Sequence, residues 1–121
     1  FRFSDVFFSG AFSWNAGTHE EAFFRGWLHP VFNEWIGVPW IANTLQASLF
    51  ALAHLPTNPL PWPQFMMGWY WGWLSTHRGW TLSESVFIHA WWDVMAFTFL
   101  YATHSDTEEG EIWLPLARIP F

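Results

Sequence analysis

Seven residues of this 121-residue chain have types and spacings suited to hydrolytic chemistry: Glu20, Glu21 and Arg25 in "EEAFFR", Phe50 and His54 in "FALAH", and His89 and Asp93 in "HAWWD". Glu20 and Glu21 are neighbours, about 100° apart around a helix, so one of them alone points squarely at a given target. Arg25 lies four residues after Glu21, on the same helical face and in the favourable order of acid before base. That spacing anchors one carboxylate and leaves the other for chemistry. Phe50 stacks one turn before the His54 imidazole, and His89 shares a face with Asp93. Two carboxyl groups and two imidazoles can activate a water by general-base action or around a metal, and spacing alone does not choose between them.

Each pair also has a plainer reading. A Glu–Arg pair at this spacing is most often a helix-surface salt bridge, and a His–Asp pair can be a polar clasp between helices. Three such pairs on three separate apolar helices, in a chain with only 14 charged residues, argue for a shared site. His19, His29, His77 and His104 fall at helix ends or turns and read as interfacial.

Composition indicates where those helices sit. Hydrophobic residues make up 52% and charged residues 12%, against roughly 25% charged in a soluble domain. The 12 Trp and 14 Phe suit membrane interfaces, and the lipid bilayer is the expected surrounding. Four arginines, no lysine and a net charge of −6 exclude nucleic acid as a partner, because phosphate binding needs grouped cations. No cysteine is present, so disulfides, thiolate metal sites and cysteine nucleophiles are absent. The start at Phe1, with no charged leader segment, reads as a processed or partial product.

The pattern predicts a single all-α domain over residues 1–121, a polytopic membrane bundle of about four helices. Residues 1–14 are apolar but short for a span, and read as the end of a truncated spanning helix or an interfacial one. Thr18, with Glu21 three residues on, matches a capping box and predicts a helix start there, with Pro30 kinking or ending the helix. Residues 35–54 are the best spanning candidate. Residues 64–77 form a shorter helix whose Gly68 and Gly72 allow close helix approach. Residues 83–103 again fit a span, and the acidic, proline-punctuated tail falls outside the bilayer.

In this order, "EEAFFRG", "FALAH" and "HAWWD" resemble the motifs E-E-x-x-x-R, F-x-x-x-H and H-x-x-x-N/D of the CAAX-protease and bacteriocin-processing (CPBP) family of intramembrane glutamic endopeptidases. Each motif alone is weak, but the three, about thirty-five residues apart within residues 17–100, form a specific signal. The resemblance implies a helical membrane core with a water-accessible cavity and a peptide or prenylated-protein substrate. One of Glu20 and Glu21 is then the general base, His54 helps to bind the water, His89 and Asp93 stabilise the oxyanion, and Arg25 holds the glutamate pair. Phe50 is the candidate substrate-binding side chain. Prenyl-protease members end the last motif in Asn, whose amide donates. Asp93 here is protonated, or orients His89, or marks a branch without that activity. Members also carry membrane helices before the first motif, so the chain reads as a shortened core. The alternative is a non-catalytic subunit of a larger membrane complex, with the motifs as a clasp and His54 or His89 turned outward to ligate a pigment such as chlorophyll. A divalent metal is the other cofactor this donor set admits, and a soluble metallohydrolase is the weakest reading because H-E-x-x-H is absent.

Overall fold

The computed structural model describes the backbone of residues 3–104, 111–114 and 117–120, and side chains between residues 6 and 99 apart from residue 8. Helix α1 (Phe3–Phe23) runs without a break through a π-helical segment (Phe24–Leu28) into α2 (His29–Ile36). Helices α3 (Pro39–Ala53), α4 (Trp62–His77) and α5 (Ser83–His104) follow. Counting the first three segments as one rod, four helical rods make up the motif-bearing region. This agrees with the expected helical bundle.

Local sequence explains most boundaries. The chain leaves α2 through Gly37, whose φ of 69° is left-handed and whose N–H caps Asn33 O at 2.9 Å. Val38 is extended, as a residue before proline prefers, and Pro39 then opens α3. Pro63 lies in the first turn of α4, where its missing N–H breaks no hydrogen bond. The turn into α5 is closed by Arg78 and Glu84 at 3.0 Å.

Three sequence expectations are corrected. Thr18 is not a cap: α1 continues through it, and its hydroxyl donates to Trp14 O at 2.7 Å, because the packed helix supplies the partners a cap would. Pro30 does not end the helix, since it follows a π segment in which the backbone hydrogen bond already runs five residues back, from His29 N–H to Phe24 O. The span expected over residues 35–54 is broken at Gly37–Val38, leaving α3 with 15 residues, about 22 Å. Among the described residues no helix is both long and apolar enough to cross a membrane. The 22 residues of α5 have the length, but their His, Trp, Ser and acidic side chains dilute its hydropathy. The tail, expected to fall outside the bilayer, forms an antiparallel hairpin of β1 (Glu111–Leu114) and β2 (Ala117–Pro120), with Ile112 opposite Ile119.

Helix α1 packs along α5, α3 along α4, and α2 against α3. The α3–α4 seam is polar: Asn43 Nδ2 donates to Trp69 O and Gln46 Nε2 to Gly68 O, each at 2.9 Å. Gly72 leaves room for both amides, because a Cβ there would collide with Asn43 Oδ1 and Gln46 Nε2. Burial is inverted relative to a soluble domain. The buried set includes Glu21, Arg25, His29, Asn43, Gln46, Ser75 and His89, whereas Trp35, Trp40, Trp62, Phe12 and Phe99 are among many large apolar side chains left exposed.

Candidate active site

Two local devices bring the motif residues together. Four residues on a regular helix overshoot one turn by about 40°, so Glu21, Arg25 and His29 would drift around α1 and α2. The π segment absorbs that drift with an extra residue in the turn, its His29 N–H bonding to Phe24 O five residues back, and all three side chains are fully buried. Close approach of α1 to α5 does the rest. A Cβ on Gly17 would lie 3.2 Å from Ala90 N, so the backbones nearly touch one turn before Glu20 and Glu21 and next to His89.

Glu21 is the anchored carboxylate. Its Oε1 accepts from Arg25 Nη1 at 2.8 Å and from His89 Nδ1 at 2.9 Å, all three groups being buried. With a guanidinium on the same oxygen Glu21 is the acceptor, so the His89 proton lies on Nδ1. The guanidinium carbon of Arg25 sits 4.3 Å from the Phe50 ring centre and 5.3 Å from that of Trp71. Gly68 makes this stacking possible: a Cβ there would come within 2.9 Å of both Arg25 Nη2 and Phe50.

Glu20 is free. Its Oε2 atom is buried without a direct hydrogen bond and faces His54 Nε2 at 3.8 Å and His89 Nε2 at 3.7 Å, although the side chain as a whole is 34% exposed. His54 Nδ1 donates to Phe50 O at 2.8 Å, because a carbonyl can only accept. A neutral His54 therefore presents a lone pair at Nε2 to another acceptor, Glu20 Oε2. Two acceptors so placed need a shared proton, or a water donating to both at ordinary hydrogen-bond distances. Asp93 Oδ2 lies 3.6 Å from His89 Nε2 and completes the cluster.

Six of the seven singled-out residues thus converge. Phe50, the candidate substrate-binding side chain, is 2% exposed and forms the apolar floor beneath Arg25, His54 and His89, because its helix face turns to the core. His29, read as interfacial, is also buried, edge-on to Trp80 at 5.0 Å, because the π segment turns it inward. His19 and His77 are exposed, and the His104 side chain lies outside those described. His54 and His89 turn inward to Glu20, not outward as pigment ligands would. Among the described residues no group of three or more His, Asp or Glu is arranged to hold a metal ion. Sequence reasoning passed over Asn43 and Gln46, although two amides three residues apart on an apolar helix were a usable signal. Trp71, which stacks on His89, is one of 12 tryptophans, and nothing local sets it apart.

Fold and site together define a helical bundle around a buried Glu–Arg–His cluster with a second, unengaged glutamate. Residues 2–95 match the family model of the Rce1-like type II CAAX prenyl endopeptidases, and the chain belongs to that family. The match takes in every motif residue from Glu20 to Asp93 and ends before the tail. Neither the curated proteins nor the solved structures gave a match.

Proposed function

We propose that the chain is the core of an intramembrane endopeptidase of the CAAX prenyl type, in which Glu20 activates water to hydrolyse a peptide bond. The carrying observation is the asymmetry of the two glutamates: Glu21 is held through Oε1 by both Arg25 and His89, while Glu20 Oε2 faces two imidazole nitrogens with no direct hydrogen bond. Water held between Glu20 Oε2 and His54 Nε2 loses a proton to Glu20 as its oxygen attacks the scissile carbonyl carbon. The proton then passes to the leaving amine. His89, with Nδ1–H fixed on the Glu21 carboxylate, carries a proton on Nε2 when charged and donates it in a hydrogen bond to the oxyanion, with Asp93 orienting the same nitrogen. Arg25 holds Glu21 in place.

The inverted burial supports a lipid surrounding. Exposed Trp, Phe and Leu around a polar interior suit a hydrocarbon solvent, where ionisable groups face inward and pair. Membership of this family supports a peptide or prenylated protein as the substrate.

The test is to change Glu20, Glu21 and His54 singly to Ala in membranes and follow cleavage of a farnesylated peptide ending in a CAAX sequence. Loss in all three is expected, and wild-type rates in all three would remove the assignment.

A further inference from the structure

We infer that Trp71 of α4 is a positioning residue: its indole sets the plane of the His89 imidazole and the seat of the Arg25 guanidinium, the two donors that share Glu21 Oε1. The inference rests on the reading of the site as hydrolytic. Helix α4 contributes none of the motif residues, yet Trp71 is buried at 2% exposure in the centre of the cluster. Its ring lies 4.2 Å from that of His89, centre to centre, with only 21° between the planes. The Phe50 ring stands edge-on to the same imidazole at 5.8 Å and 84°.

A single hydrogen bond from Nδ1 to Glu21 fixes one point of the His89 ring and leaves it free to tilt about that contact. The stacked indole removes this freedom, so Nε2 must point at Glu20 Oε2 and Asp93 Oδ2, 3.7 and 3.6 Å away. The same indole meets the Arg25 guanidinium carbon at 5.3 Å. Face contact with a cation is favourable when both are withdrawn from water. One side chain thereby holds both donors on a single carboxylate oxygen. Nearby, Gly68 admits the guanidinium and Gly72 admits the α3 amides, which lets α4 come close enough for Trp71 to reach.

The experiment uses the full chain in lipid nanodiscs with 15N-labelled histidine. The His89 Nδ1–H proton, bonded to a buried carboxylate, is expected as a far-downfield resonance and is assigned by its disappearance in His89→Gln. Trp71→Met keeps an apolar side chain of moderate size but removes the ring. It is expected to abolish that resonance and to lower kcat on the farnesylated peptide by on the order of ten- to a hundredfold, with KM nearly unchanged, as misplacement of a reacting group does. Trp71→Phe restores a stacking face and is expected to recover the resonance and most of kcat. A folded Met variant with wild-type resonance and kcat would overturn the inference, as would a rise in KM alone. Should the Met variant fail to fold, a Phe variant that folds but has lost the resonance overturns it, and one that keeps the resonance supports it. A wild-type protein that cleaves nothing would count against the protease reading, while the resonance would still decide the role of Trp71.

Discussion

Replacing Glu20 and Glu21 by Gln, one at a time, separates the two carboxylates by opposite signatures. In Glu21→Gln the Arg25 guanidinium, buried and 2.8 Å from Oε1, loses its counter-charge, as does the His89 imidazole when protonated. Breaking a buried pair by removing one charge costs about 3 to 5 kcal/mol. The Gln oxygen can still accept both hydrogen bonds, and the Phe50 face at 4.3 Å still covers the cation, so the lower end, about 3 kcal/mol, is expected. In Glu20→Gln no direct hydrogen bond is lost, the nearest nitrogens stand 3.7 and 3.8 Å away, and the side chain is partly exposed. Stability should change by less than about 1 kcal/mol. Hydrolysis should nevertheless fall by about 10²- to 10⁴-fold, the usual contribution of a general base. Thermal unfolding followed by helical circular dichroism in detergent measures the first quantity, and peptide cleavage in membranes the second. Equal destabilisation by both variants, or wild-type cleavage by Glu20→Gln, would refute the division of labour.

Outcomes at four further residues are expected. Gly72→Ala should destabilise by about 1 to 3 kcal/mol, because its Cβ enters the Asn43–Gln46 clasp. Gly10→Ala should instead stabilise by about 0.5 to 1 kcal/mol, since nothing lies within 4 Å of a Cβ there and the residue is helical; thermal melts that move the same way for both would contradict the packing. Arg25→Lys should cost about 1 to 2 kcal/mol in the same melts, because a compact ammonium loses the planar stacking on Phe50 and Trp71. Asp93→Asn should keep cleavage near the wild-type rate, since an amide still partners His89 Nε2 and can donate to an oxyanion, whereas Asp93→Ala should lose about 10²-fold; an Asn variant as slow as the Ala variant would exclude that role.

The motif residues and the helices that carry them were legible in the sequence because both depend on local spacing. Four-residue intervals put Glu21 with Arg25, and His89 with Asp93, on common helix faces wherever those helices go. The ranges expected from the sequence, 64–77 and 83–103, likewise lie close to the observed limits of α4 and α5. Where local signals competed, they misled. The Thr18 capping pattern was overridden by a helix already under way, and an apolar run of twenty residues concealed the turn at Gly37.

By itself, then, the sequence determined the family, the three motifs and which partners share a helix face, since a helix repeats every few residues. Only the tertiary structure decided which glutamate is anchored and which is free. That choice depends on where α5 lies against α1, set by the contact of Gly17 with Ala90, far away in the sequence. The choice of Trp71 from 12 chemically identical side chains has the same origin. Spacing along one helix cannot encode which helix comes to rest beside it, because that is fixed by packing between segments distant in the chain.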